Sequence, residues 1–285
     1  MRGGALGDFI LTLPVLAALR RKYPSHQIEI LGYPAIASLA VAGGLADAVS
    51  AIESPRLTGI FVRNGTVDPP VAEWFSGFDF IVSYLSDPER IFQSNIARHT
   101  SVPFVAGPHR PDETRAVHAT EQLLEPLQSL GIVDADSQPR LRLPSAGPKS
   151  RGIAAHVGSG SAKKNWPEAD WLELLEKVPC KILLIGGEAE GDRCARLATP
   201  LPPGQVEVAQ SLPLVELAGR MQTCSGFIGH DSGITHLAAA LGLPGVVLWG
   251  PSNLTVWRPQ SDQMKIVQGL DTPVETVFRE LQTFL

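Results

Sequence analysis

An α/β fold built on two parallel sheets is the architecture that this sequence predicts, and three observations predict it. Short apolar runs of strand length alternate with helical patterns through both halves of the chain, the rhythm of parallel sheets wrapped by helices. Residues Pro139–Ser150, with Pro144, Gly147 and Pro148, have linker composition, and the rhythm restarts beyond them. Finally, the stretch Gly229–Gly242 (Gly-His-Asp-Ser-Gly-Ile-Thr-His-Leu-Ala-Ala-Ala-Leu-Gly) follows strand-like Gly226-Phe227-Ile228 and precedes strand-like Gly245–Trp249. Strand, polar glycine-containing turn, helix, strand is the unit in which α/β proteins place ligands at strand carboxyl ends. A length of 285 residues suits two domains better than one.

In chain order, Gly3-Gly4-Ala5-Leu6-Gly7-Asp8 opens a helix carrying Ile10, Leu11, Leu13, Leu16 and Leu19 and ending in Arg20-Arg21-Lys22, whose charges complement the helix dipole. Such a turn ordinarily follows a strand, yet only two residues precede it, so the first strand is expected to be missing. Strands are expected at 27–32, 48–52, 79–84 and 102–106, and helices at 36–42, 70–75, 88–98 and 116–130. In the second half, strands are expected at 152–157, 181–185 and 206–208, besides those flanking Gly229–Gly242. Its helices should start at Trp166-Pro167, where proline suits the first turn, and cover 192–197 and 214–223. Val274, Val277, Phe278, Leu281 and Leu285 mark a last helix over 273–285 by their spacing.

Composition excludes several classes of function. A net charge of −5 argues against a nucleic-acid partner bound through a basic surface. Cys180, Cys194 and Cys224 are odd in number and form no close pair, which reads as buried thiols in a reducing compartment. Neither a membrane-spanning run nor a signal peptide is visible, so a cytoplasmic protein is expected; a local patch touching a membrane surface is left open. Asn253-Leu254-Thr255 has the form of a glycosylation sequon, meaningless in that compartment.

If the strands of the second half are parallel, three loops converge at one sheet edge: Gly158–Asn165, Gly186–Glu188 and Gly229–His236. They bring hydroxyls, lysine, a carboxylate and a helix N-terminus, the groups that a nucleoside diphosphate needs. Asp231 and Ser232 could merely cap that helix. Capping alone leaves His236 unexplained, one turn from Ser232 on the same face. Neither the Walker A order Gly-Lys-Ser/Thr nor a Gly-x-Gly-x-x-Gly fingerprint is present, which weakens a kinase or dehydrogenase reading.

Gly7-Asp8 with Leu13-Pro14, then Lys164-Asn165-Trp166-Pro167, then Asp231-Ser232-Gly233 with His236-Leu237-Ala238-Ala239-Ala240-Leu241, and Gly250-Pro251, together resemble the ADP-heptose:lipopolysaccharide heptosyltransferase family, glycosyltransferase family 9. The likeness covers nearly the whole chain in the expected order, and its last motif is the most specific. It implies a GT-B fold, two Rossmann-like domains with parallel sheets facing a central cleft. Residues 1–145 would bind the acceptor and 151–272 the sugar nucleotide, with the helix at 273–285 packing back on the first domain. It implies an inverting transfer of heptose from ADP-heptose to a lipopolysaccharide-core acceptor, either lipid-linked or oligosaccharide. The setting would be cytoplasmic, with peripheral contact at the inner membrane left open.

Carried over by position, Asp8 matches the catalytic base; its plainer account is an N-cap. Lys164 matches the lysine on the donor phosphates, whereas Lys163 reads as a solvated charge. Glu188 matches the ribose-binding glutamate, Leu212 the apolar neighbour of the nucleobase, and Asp231, Ser232, Gly233 and His236 the phosphate and sugar contacts. For these the alternatives are an exposed acid, a core leucine, a cap and a core histidine. Acceptor recognition would rest on scattered cations, Arg63, Arg98, His99, Arg110 and Arg115, otherwise a solvated surface. Lys164 and the helix N–H groups could take the charge of the leaving phosphate, so neither a metal nor another cofactor is expected. The missing first strand and the small first half depart from the family pattern and unsettle the placement of Asp8. Other readings are transfer from another nucleotide sugar or to another glycan, a sugar-nucleotide epimerase, and a binding protein without turnover.

Overall fold

Apolar runs of three to five residues, ended by glycine, proline or a polar turn, become parallel strands in the computed structural model, which describes residues 1–144, Gly147 and 152–285. The linker expected at Pro139–Ser150 falls partly on residues 145, 146 and 148–150, outside the described ones. The first half runs α1 (Leu6–Ile10), α2 (Leu13–Lys22), β1 (Glu29–Gly32), α3 (Pro34–Ala42), β2 (Ala48–Ala51), α4 (Thr58–Phe61), α5 (Pro69–Ser76), β3 (Ile81–Ser83), α6 (Ile91–Ala97), β4 (Phe104–Ala106) and α7 (Ala119–Leu124). The second runs β5 (Ile153–His156), α8 (Glu168–Lys177), β6 (Ile182–Gly186), α9 (Arg193–Ala198), β7 (Val206–Gln210), α10 (Leu214–Gln222), β8 (Gly226–His230), α11 (Gly233–Ala240), β9 (Gly245–Trp249), α12 (Leu254–Trp257), β10 (Met264–Gln268) and α13 (Val274–Leu281).

In the first half β1 pairs with β2 and β3 with β4, all parallel. The strand expected to be missing has a two-residue substitute. The Met1 nitrogen donates to the Val82 carbonyl at 2.6 Å, the Tyr84 N–H to the Met1 carbonyl at 3.0 Å, and the Arg2 N–H to the Leu31 carbonyl at 3.0 Å. Met1 and Arg2 thus join the two pairs in the order β2-β1-stub-β3-β4. A cavity of about 350 Å³ lined by Phe9, Leu16, Ile30 and Ile81 lies in the same gap.

The second half is one six-stranded parallel sheet in the order β10-β9-β8-β5-β6-β7. From β5 the chain steps outward through β6 to β7, then returns to the other flank of β5 as β8. The crevice where the order reverses therefore lies between the carboxyl ends of β5 and β8. Strand β10 went unforeseen because Met264-Lys265-Ile266-Val267-Gln268 carries polar residues, as an edge strand can.

Two helices depart from the expected pattern for backbone reasons. The first is broken at Leu11-Thr12, with Pro14 in the opening turn of α2. The helix expected to reach Leu130 ends as α7, and Pro126, lacking an N–H, sits in the 3-10 turn that follows.

The last helix is a correction. Its expected packing on the first domain is not what the structure shows: Val274, Val277 and Leu281 form one stripe buried with Trp171, Leu174 and Leu175 of α8. Each fully buried side chain of this kind stabilises by about 1.5–3 kcal/mol, and Lys177 pairs with Glu275 at 2.7 Å beside them. Near the chain's end it is α12 that packs on the first half, its Val256 fully buried with Leu11, Val15, Tyr84 and Leu123. The same junction has a 2.8 Å hydrogen bond between the His118 ring and the Arg258 carbonyl. Among the described residues no helix is long and apolar enough to cross a membrane.

Candidate active site

The three loops do converge, because β8, β5 and β6 are adjacent and parallel at the centre of the sheet. The loop after β5 carries Lys164 and is fixed by His230 at the end of β8. Nε2 of His230 accepts the Trp166 N–H at 2.8 Å, so Nδ1 holds the proton and donates to the Gly158 carbonyl at 3.2 Å. One imidazole thus ties down both ends of the Gly158–Asn165 loop. Burial pushes its pKa down to about 3, so it stays neutral and keeps that tautomer.

Lys164 Nζ lies 2.6 Å from the Asp231 carboxylate, which is buried while the lysine is about one-third exposed. Ser232 caps α11 by accepting the Thr235 N–H at 3.4 Å, with extended backbone at the cap. Thr235 in turn donates its hydroxyl to the His230 carbonyl. Capping and ligand binding are compatible here. The hydroxyl serves the third N–H of the helix, and those of Gly233 and Ile234 have no intrahelical acceptor.

Asp8 reaches this place through a contact of two glycines. A Cβ added at Gly233 would stand 2.8 Å from the Gly7 nitrogen and 2.9 Å from Leu6 Cβ, so α1 and α11 approach as only glycine permits. The Asp8 carboxylate is 36% exposed, accepts the Ala5 N–H at 3.1 Å, and lies 3.5 Å from the Arg2 guanidinium. It therefore does fold back on the helix start, yet keeps acceptor capacity and solvent access. Buried Arg2 also donates to the carbonyls of His109 at 2.7 Å and Asp8 at 3.2 Å, clamping the turn.

His236 lies where the halves meet. Its ring is 3.4 Å from the Cβ position of Gly7, and burial lowers its pKa to about 4 against the nearby charges of Asp231 and Asp8. Across the β5–β8 crevice, His156 Nδ1 stands 3.2 Å from the Ser232 hydroxyl, also held neutral by burial with a pKa of about 4.

Asp8, Lys164, Asp231, Ser232, Gly233 and His236 are therefore brought together. Glu188 is not: it is exposed at the start of a 3-10 turn. Two residues on, Glu190 folds back, accepting the Gly187 N–H at 2.7 Å and lying directly over Gly158. Leu212 sits just past β7 at the same edge, partly buried against the core. The expected acceptor-side cations are taken up locally: Arg63 by Glu89, Arg98 by Asn95 and the Gly65 carbonyl, Arg110 by Glu113 and Arg115 by Glu125. His99 is exposed. Arg2, His156, Glu190 and His230 were not foreseen as site residues. Position at a strand end could have marked the two histidines, whereas Arg2 carried no signal without its strand.

The family model of glycosyltransferase family 9 (heptosyltransferase) matches residues 80–284. Over 160 residues the chain is 36% identical to lipopolysaccharide heptosyltransferase 1 of Pseudomonas aeruginosa, a stretch covering 53% of this chain but only 42% of that relative. Lipopolysaccharide heptosyltransferase 3 of Escherichia coli is 24% identical over 304 residues, covering 90% and 84% of the two chains. Among solved structures, a glycosyl transferase family 9 protein from Veillonella parvula aligns with a TM-score of 0.80 at 21% identity, covering 99% of this chain and 95% of its own. The E. coli heptosyltransferase WaaC with ADP gives 0.74 at 19%, over the whole of both chains. The shared fold is GT-B.

Proposed function

The chain belongs to glycosyltransferase family 9, and from that premise we propose that it transfers heptose from ADP-heptose to a lipopolysaccharide-core acceptor with inversion at the anomeric carbon. The observation that carries this reading is the Gly7–Gly233 contact, which sets a carboxylate of one half against a helix N-terminus and a lysine of the other.

Asp8 takes the proton of an acceptor hydroxyl, which it can do from hydrogen-bond reach. That oxygen attacks the anomeric carbon from the face opposite the nucleotide, and the bond from that carbon to the diphosphate oxygen breaks. The electron pair of the broken bond passes to the phosphate oxygens, and ADP leaves. The charge that builds there meets Lys164 and the open N–H groups of α11, fixed beforehand by Asp231 and the Ser232 cap. Since a lysine and oriented amides supply the counter-charge, the reading needs no metal; activity should survive EDTA, and its strict loss would overturn that part.

Calorimetry with ADP, UDP and GDP, followed by transfer to a lipopolysaccharide-core acceptor with the product anomer identified, tests the whole. ADP preference and an inverted product support it; preference for another nucleotide replaces the donor, and interconversion of the sugar without transfer replaces the reaction.

A further inference from the structure

We propose that His156 is a ligand of the donor's diphosphate, presenting Nε2–H to a phosphate oxygen while Nδ1 holds the Ser232 hydroxyl. The inference rests on the nucleotide-sugar reading above and adds a residue that the motifs of the chain do not mark.

His156 is the last residue of β5 and stands opposite Gly229 in the parallel pair with β8. That pair flanks the point where strand order reverses, so the ring lies at the mouth of the crevice in which such sheets bind ligands. Strand alternation decides which way it faces. Ile153, Ala155 and Val157 enter the core shared with α8, whereas Ala154 enters the core shared with the first half, and His156 follows Ala154. The side chain therefore faces the side where α11 starts and Asp8 approaches.

The ring is 5% exposed, and only Nδ1 has a partner, the Ser232 hydroxyl at 3.2 Å; Nε2 has none among the described residues. Without an anion either tautomer satisfies Nδ1. Ser232 can donate to it, or receive from it and donate to Thr235 Oγ1 at 3.4 Å. A phosphate oxygen facing Nε2 selects the form protonated there, and Ser232 then donates to Nδ1. A neutral imidazole thus serves as a fixed N–H donor beside the helix amides, and the Ser232 cap is retained.

Two amide replacements separate the ring's atoms, since asparagine places its amide near Nδ1 and glutamine near Nε2. Affinity for ADP should fall about tenfold or more in His156→Ala and His156→Asn and return to within a few-fold of wild type in His156→Gln. Affinity for adenosine, which has no phosphate, should stay unchanged in all three. Nitrogen-15 shifts of the His156 ring in the wild type should move to the Nε2–H form when ADP is added. Rescue by asparagine instead of glutamine, or equal weakening of adenosine, would leave His156 a support for Ser232 and overturn the proposal. If the wild type binds no nucleoside diphosphate at all, the donor reading itself fails. If it binds one and the variants match it, only the His156 assignment fails.

Discussion

The halves of this molecule solve one problem, presenting polar groups at a sheet edge, by different means. The second half does it with a continuous six-stranded sheet and buried neutral imidazoles, so that Lys164 and the start of α11 are held by His230 and Ser232. The first half does it with two strand pairs joined by two residues, and one buried guanidinium, Arg2, clamps the Asp8 turn. One side rests on a continuous sheet with its loops held by buried side chains. The other holds the Asp8 carboxylate on a short turn with 36% of its side chain open. Under the proposed reaction, donor binding would reside in the second half and bond-making would depend on the first, which substitutions can separate.

The largest expected separation is at Asp8. Asp8→Asn keeps an oxygen for the Ala5 N–H but cannot take a proton, so transfer should fall by about 10²–10⁴-fold. Calorimetric affinity for ADP should stay within twofold. A parallel loss of ADP binding would mean that the first half also shapes the receptor and would break the contrast.

Gly233 is where the contrast should disappear, because both halves need it. A methyl group there meets the Gly7 nitrogen at 2.8 Å, backbone that has little room to yield. Gly233→Ala should cost about 1–3 kcal/mol of stability and lower ADP affinity and transfer together. Chemical denaturation alongside the two assays checks this; a variant that loses transfer alone would show that the pivot lies elsewhere.

These groups were unevenly legible beforehand. The second half's loops could be placed because Asp231-Ser232-Gly233 lies directly behind an apolar run, and Lys164-Asn165-Trp166-Pro167 a short polar loop behind another, both runs reading as buried strands. The substitute for the first strand could not, because two residues show no periodicity and their pairing with Leu31 and Val82 is purely long-range. The final helix was misassigned for a related reason: its stripe of Val274, Val277 and Leu281 proclaims an apolar face but not which half receives it. Glu188 and Glu190 are both acids after a Gly-Gly turn, and only the backbone of the 3-10 turn decides which one folds inward.

Acid should expose the second half's dependence on neutral histidines. His156 and His236 have pKa values near 4 and His230 near 3, all lowered by burial, against about 6.5 in an unfolded chain. Above pH 6.5 neither state binds these protons and nothing is lost. Below it the unfolded chain takes them up first, so stability falls as pH drops toward 4, by about 1.4 kcal/mol per unit for each histidine. Urea midpoints followed by tryptophan fluorescence at pH 7.5 and 5 measure this, since four of the five tryptophans, Trp166, Trp171, Trp249 and Trp257, lie in the second half. Equal midpoints would mean that the imidazoles are not closed off from solvent as their burial implies.

The smallest and most local expected effect tests Glu190 against Glu188 as a carboxylate for the ribose hydroxyls of the proposed donor. Glu190 already accepts the Gly187 N–H through one oxygen, which holds the turn, and its other oxygen lies against Gly158. Glutamine at 190 keeps an oxygen for Gly187 but loses the charge. Its cost should be that of weakening one charge-assisted hydrogen bond, about tenfold in adenosine affinity. The same loss should be absent for 2′-deoxyadenosine if the 2′-hydroxyl is the partner. Glu188→Gln should change neither, because that side chain is exposed while Glu190 is the acid that folds back on Gly187. The reverse result, a loss confined to Glu188→Gln, would require the 3-10 turn to rewind when nucleotide binds. The second half would then be less rigid than its neutral, buried supports suggest, and the two halves would differ less than their sheets do.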